Sequence, residues 1–297
     1  MTHSMNNSRL AVAVAILAAC IPQNLRAAEL QQSTLTAWQT YLAEVDTHMQ
    51  QRIAGKQTFL WADESADRAA RVRRGEVVIA PITANGMKHV PKGLIHDWIG
   101  AVFIPNATID SLWTVLLDYD KYKQVYRPVV TESRVLSCTK EKQEFVMAWQ
   151  KRALFVSAAM QGRYQAVNVQ VDSHRGYILA EATEVREIVG YGRKNERMLP
   201  PDTGNGYVWR IQSVERYEER DGGVYLEVEA IVLTRDIPES LNWLVSPVVN
   251  RLSIQSVTTT LSMTRDAVVS IRGEAERLTH CQNPIGASIT ATGGGMK

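Results

Sequence analysis

The sequence predicts an α+β domain in which a curved antiparallel sheet wraps a long C-terminal helix, and three observations carry that expectation. Seven β-branched runs bounded by turn residues follow one another between residues 94 and 234. Helical text interrupts them only after the first run. The segment 249–271, set on a helix at about 100° per residue, separates into one broad apolar and small-residue arc and one polar arc.

The broad arc of that helix collects Val249, Leu252, Ser253, Ile254, Ser256, Val257, Thr260, Leu261, Met263, Ala267, Val268 and Ile271, and the polar arc holds Arg251, Gln255, Thr258, Ser262, Arg265 and Asp266. A width near 200° suits a helix lying in the hollow of a sheet. Ser253, Ser256 and Thr260 along its middle either let backbones approach or leave room for another molecule. An ordinary amphipathic surface helix is the competing reading.

With 297 residues, 45% of them hydrophobic and 22% charged, the chain is long enough for a full core and falls in the globular class. A formal net charge of +2 without a basic run leaves no electrostatic footprint for nucleic acid, so that partner class is set aside. Residues 1–28 read as a targeting segment: Arg9 precedes an apolar run of h-region length, too short to span a bilayer. Two cleavage readings are open. Leu17, Ala18, Ala19 and Cys20 match a lipobox that makes Cys20 the lipid-bearing first residue, whereas Leu25, Arg26, Ala27 and Ala28 offer a signal-peptidase site. Either way the mature chain is expected to be exported, to the periplasm or to an outer-membrane anchor. Cys138 and Cys281 are open to a disulfide or to two free thiols, and no Cys/His cluster calls for a metal.

After the signal, residues 29–92 form an N-terminal extension. Ser33 or Thr34 is placed to cap a helix whose Leu35, Trp38, Leu42, Val45 and Met49 make one apolar stripe. A charged stretch follows, with Asp63, Glu64, Asp67, Arg68, Arg71, Arg73 and Arg74, and reads as a solvated helix or linker closed by Gly75. Pro81 marks the next run as an edge strand. The main domain, 93–272, opens with a long strand ended by Pro105, then a helix capped by Thr108 with Leu112, Val115, Leu116 and Tyr119 inward. A turn through Tyr122 leads to six strands. The loop 190–206, rich in Gly and Pro, is long enough for a lid or a disordered connection. In the last hairpin Asp221 and Gly222 make the turn, and pairing Arg216 with Glu227 avoids setting Glu215 against Glu227. That register puts Trp209, Ile211 and Ser213 on one face with Leu226, Val228, Ala230 and Val232. Residues 273–297 read as a flexible tail.

Trp113, Asp118, Tyr119, Tyr122 and Pro128 before the second strand, Ile237, Pro238 and Leu241 leading into the closing helix, and Leu261, Thr264 and Arg265 within it resemble the START-like (SRPBCC, polyketide cyclase and dehydrase) superfamily. The resemblance covers roughly residues 93–271. It implies a helix-grip fold, a seven-stranded antiparallel sheet around the C-terminal helix, and a hydrophobic small molecule or lipid held between them. Cyclisation or dehydration in the same cavity is the minority activity it implies. Residues 33–92 lie outside the pattern.

The expected ligand contacts are Trp98, Trp149, Trp209, Ile211, Val228, Ser253, Ser256 and Thr260, with core packing as the competing role of the tryptophans. For an enzyme, His96 or Glu181 is the expected acid or base; alternation puts His96 and Asp97 on opposite faces and excludes an adjacent dyad. Glu181 shares its face with Tyr177, Leu179, Thr183 and Val185, where it needs a partner such as Arg163 or Arg186 or a raised pKa. No nucleophile elbow, dinucleotide fingerprint or paired carboxylates appear, so no cofactor is expected. Non-catalytic binding of a lipid or isoprenoid is the leading expectation, against a cyclase or dehydratase and against an envelope protein with a filled core.

Overall fold

The computed structural model describes residues 28–139, 142–153, 156–237, 239–271 and 285–286. A short strand, β1 (Ala28–Glu29), precedes helix α1 (Gln32–Ile53); a 3-10 turn at Trp61–Glu64 leads to α2 (Ala66–Arg73) and to strands β2 (Val78–Pro81) and β3 (Met87–Val90). Next come β4 (Gly93–Pro105), α3 (Ile109–Leu116), α4 (Tyr122–Val125), β5 (Val130–Cys138), β6 (Gln143–Ala153), β7 (Val156–Gln170) and β8 (Arg175–Val189). Two short strands, β9 (Arg197–Met198) and β10 (Thr203–Gly204), lie in the loop before β11 (Arg210–Arg220) and β12 (Gly223–Arg235). Helix α5 (Glu239–Ser270) follows, and β13 (Ile285–Gly286) runs parallel to β7.

The large sheet has the order β2-β4-β12-β11-β8-β7-β6-β5, with β3 sharing the β4 edge. Its seven long strands are antiparallel throughout. The fold is a helix grip. Helix α5 lies across β4 and β12 because Gly100 admits it: a Cβ at that glycine would stand 2.7 Å from Val257 Cγ1 and 2.8 Å from Leu261 Cδ1. Asp221 and Gly222 turn the last hairpin at positive φ (56° and 76°), and the register pairs Arg216 with Glu227 and Tyr217 with Leu226, as charge matching requires.

The buried stripe of α5 is Val257, Leu261, Thr264 and Val268. It is narrower than the apolar arc expected from sequence, and Ile254 on one margin is 39% exposed. The helix crosses one side of the hollow, so that margin faces solvent. The opposite margin, with Ser253, Ser256 and Thr260, is half-buried over the sheet.

The N-terminal extension covers the outer face of the sheet. Trp38 and Tyr41 of α1 pack with Ile95, Ile231 and Leu233, and Phe59, Leu60 and Trp61 pack with Ile99, Phe103 and Val214. Polar groups cross the same layer. Arg216 donates from Nε to Glu227 at 3.1 Å and from Nη1 to Glu229 at 2.9 Å. Glu227 also accepts the Trp61 and Ala62 amides at 3.0 and 2.7 Å, and Tyr41 donates to Asp97 at 2.6 Å.

Four local expectations change. Neither Ser33 nor Thr34 caps α1: Gln31 holds the cap position without a side-chain bond, and the buried Thr34 hydroxyl donates to the Pro91 carbonyl at 2.7 Å. The charged stretch is no free linker, since Ser65 caps α2 and Arg68 lies over the Trp61 ring at 3.7 Å. Trp209 precedes β11 and turns outward into the cluster of Trp38 and Tyr41, so it does not share the face of Ile211. The loop 190–206 is pinned, because Glu187 accepts from the amides of Asn205 (2.8 Å) and Tyr207 (3.2 Å) and β10 pairs with β1. Cys138 is disulfide-bonded. Cys20, Cys281, the signal segment and, save for β13, the tail lie outside the described residues.

Candidate ligand-binding site

Alternation assigns the inner face of the sheet strand by strand. From β4 it takes His96, Trp98, Gly100 and Val102; opposite them in β12 stand Val232, Ala230, Val228 and Leu226, and next in β11 Ile211, Ser213, Glu215 and Tyr217. Strand β8 continues with Ala182, Ala180 and Ile178. A register shift opposite Arg163 and Tyr164 then leaves Thr183 unpaired, so Val185 returns to the inner face although Glu181 does not lie there. Glu181 therefore stands on the outer face beside Leu179, and neither Arg163 nor Arg186 is its partner: those pair with Glu144 and Glu184. Burial raises the Glu181 carboxyl, with Arg210 opposing. It cannot act within the hollow.

The inner face is closed at its margins and accessible at its middle. Trp98 is 6% exposed under the turn at Ala84–Gly86, where a Cβ on Gly86 would meet its indole at 2.3 Å. Val228 is 5% exposed. By contrast Ile211, Ser213, Glu215 and Ala230, central in the sheet, keep accessible surface, as do Trp149, Ser253, Ser256 and Thr260 around them. That accessible surface lies on the inner face alongside α5, which packs on β4 and β12 and is reached from β6 by Lys151. Of the expected ligand contacts, Ile211, Trp149, Ser253, Ser256 and Thr260 keep accessible surface, Trp98 and Val228 are buried, and Trp209 packs on the outer face.

Buried rings stack where β6 and β7 meet the turn before α4. Tyr119 lies on Phe145 with centroids 3.9 Å apart and planes at 7°, and Phe145 on Tyr164 at 4.9 Å and 6°. Trp149 Nε1 donates to Tyr164 Oη at 3.2 Å. The far edge of the sheet closes onto the helix through Lys151, whose Nζ reaches Ser256 Oγ at 2.6 Å. Burial lowers the Lys151 pKa.

Two further ionisable groups stand on this face. His96 is 3% exposed, its Nε2 lies 3.0 Å from Thr234 Oγ1, and burial pushes it down to about 4, so it is a neutral imidazole. Glu215, set between Ile178 and Val228 in register, has no hydrogen-bond partner among the described residues, and burial pushes its carboxyl up to about 7. Two strands and four residues separate them, roughly 16 Å on a pleated sheet. They do not form an acid–base pair.

No family model and no curated protein sequence matches the chain. Among solved structures, it is similar to a STAR-related lipid transfer protein fragment from Xanthomonas axonopodis (19% identity, 65% of this chain and 98% of that one, TM-score 0.42). It is also similar to the Zhui aromatase/cyclase from a Streptomyces species (14%, 62% and 99%, TM-score 0.38) and to human STARD10 (10%, 68% and 78%, TM-score 0.40). The helix-grip assignment stands on the strand order and the helix placement described above.

Sequence reasoning missed Glu215. The signal was present, because the register that pairs Tyr217 with Leu226 and alternates through Ser213 necessarily sets Glu215 inward. Among the described residues no three His, Cys, Asp or Glu side chains gather into a metal-binding group.

Proposed function

We propose that this chain binds an apolar small molecule or lipid between the inner face of the sheet and α5, and does so without converting it. The accessible surface left at Ile211, Ser213, Glu215 and Ala230, beneath a helix margin of small residues, carries this reading. A cyclase or dehydratase reading has one observation in its favour, a Glu215 carboxyl poised to exchange a proton near neutral pH.

Native mass spectrometry of protein purified from its own envelope, followed by extraction, separates the two. A binder carries a stoichiometric apolar compound and releases it unchanged. Chemical conversion of that compound on incubation, abolished by Glu215→Gln in a folded protein, establishes the enzyme instead. We further propose export, with a lipid anchor at Cys20; among the described residues no helix is long and apolar enough to cross a membrane. Two acyl signals hold a protein stably to a bilayer where one does not. Mass spectrometry of the mature N-terminus tests this, and a first peptide beginning at Ala28 or Glu29 refutes the anchor.

A further inference from the structure

The end of the molecule that carries β1 presents a surface that the ligand site does not use. After Ile188 and Val189 the chain turns at Gly190 and returns through β9, which pairs with them, and Leu199 then donates to the Glu187 carbonyl at 2.8 Å. On this pinned hairpin Arg193, Lys194 and Arg197 are exposed, and none of them has an ion pair among the described residues, whereas Arg186 and Arg210 beside them pair with Glu184 and Asp202. Glu196, the only acid between residues 190 and 198, accepts the Gly192 amide at 2.7 Å. Met198 on the hairpin is 41% exposed, and Tyr207 at the other end of the loop 40%. Where the chain enters decides what this surface meets. Strand β1 pairs with β10 in the same loop, Leu30 donates to the Asp202 carbonyl at 3.1 Å, and Cys20 stands eight residues before Ala28. Eight residues span at most about 28 Å. Helix α1 starts at this end and runs roughly 33 Å along the outer face. Its Trp38 and Tyr41 pack with Ile95 and Leu233 near the loop, and its Met49 lies with Phe103 and Tyr225 at the far end of the same strands. A lipid on Cys20 therefore brings the loop end to a bilayer and leaves the far end out of reach.

Resting on the anchor proposed at Cys20, we infer that the hairpin 190–198 together with Tyr207 is a membrane-docking surface, and that its partner is a bilayer carrying anionic phospholipid. Arg193, Lys194 and Arg197 meet the headgroup phosphates, to which an exposed cation is drawn within a Debye length. Met198 and Tyr207 enter the layer between headgroups and acyl chains, where an apolar body with a polar tip is favoured. The hairpin's attachment to β8 makes it a fixed platform, so the docked orientation is set by the fold. That orientation has a consequence for the ligand site. Lys151 pairs with Ala158 in β7, two residues before Met160, which pairs with Glu187, so Lys151 and its bond to Ser256 of α5 stand at the same end as Val189. Two strand spacings, about 10 Å, separate them. Docking thus sets this end of the sheet and helix against the bilayer.

Vesicle flotation of the full mature chain made with Cys20→Ser, which takes no lipid, tests the surface separately from the anchor. The probes are vesicles of phosphatidylcholine alone and of phosphatidylcholine with an equal part of phosphatidylglycerol, each at low and at physiological salt. The chain is expected to bind the phosphatidylglycerol vesicles and to bind them less as salt rises. Arg193→Gln, Lys194→Gln and Arg197→Gln together are expected to weaken that binding about a hundredfold, at roughly fivefold for each cation. Met198→Ser with Tyr207→Ser is expected to weaken it at both salt concentrations. Lys56→Gln, Lys123→Gln and Arg134→Gln, at exposed cations away from the loop, make the same change in net charge and are expected to leave most of the binding in place. No binding to phosphatidylglycerol vesicles, or equal losses in the two triple variants, overturns the inference. Neither result depends on the anchor, which stands or falls with the mature N-terminus.

Discussion

Replacing Glu215 by Gln keeps the side chain's size and removes its proton equilibrium, so the pH dependence of stability isolates the cost of burying this one acid. In the folded chain its pKa is pushed up to about 7 from an ordinary 4.5, and burial is the sole cause. The folded state therefore holds a proton that the unfolded state releases between those values. It binds more protons than the unfolded chain there, and stability falls as pH rises from about 4.5 to about 7 and is level above. At about 1.4 kcal/mol per pH unit the loss reaches about 3 kcal/mol, an upper bound because water admitted to the space solvates the carboxylate. Urea unfolding followed by tryptophan fluorescence from about pH 4 to about pH 8 gives both curves. The wild-type curve should drop relative to Glu215→Gln across that window, by 2 to 3 kcal/mol on this rough reckoning. A difference between the curves that does not change with pH refutes the placement of Glu215 in a desolvated site.

Gly100→Ala places a methyl 2.7 Å from Val257 and 2.8 Å from Leu261, so α5 must lift and the melting temperature should fall by an amount equivalent to about 1–3 kcal/mol. Arg216→Met leaves Glu227 and Glu229 buried without their cation; equilibrium unfolding should register a loss of about 3–5 kcal/mol, and a loss below about 1 kcal/mol contradicts the role given to the pair. Ser256→Trp fills the half-buried helix margin and displaces Lys151, and it should reduce binding of an apolar dye by more than it reduces stability; a loss of several kcal/mol with binding intact means that the margin is tightly filled.

What was legible in the sequence follows from what each signal averages over. Strand alternation and turn chemistry are local and repeated, so the seven strands, the Asp221–Gly222 turn and the register of its hairpin could be read directly. The width of the α5 arc was legible too, but its coverage was not, because coverage depends on where the helix crosses the sheet and Gly100 decides that from another element. Single departures from alternation escaped. One unpaired residue at Thr183 separates the face of Glu181 from that of Val185, and no composition cue marks it. Trp209 stands one residue before its strand begins, where the pleat does not yet fix direction. The N-terminal extension showed an apolar stripe without a destination, since its partners Ile95, Ile231 and Leu233 look like ordinary strand residues until both faces are known to be covered.

Acids stand on both faces of this sheet, and what answers them differs. On the outer face Asp97, Glu227 and Glu229 meet Tyr41, two backbone amides and Arg216, and several of those donors come from the N-terminal extension. That extension thus closes a second core and belongs to the folding unit of the sheet. Asp97, raised to about 8 by burial and then by Glu229, still has the Tyr41 hydroxyl at 2.6 Å. On the inner face none of the described residues gives Glu215 a hydrogen bond. A buried polar group left unpaired costs about 1–3 kcal/mol, and water that reaches the group lowers that cost. Glu215 keeps accessible surface through which water can do so. The two faces, alike in carrying carboxylates against apolar neighbours, therefore differ: each outer acid bonds at least one group of the chain, and Glu215 on the inner face bonds none of the described residues.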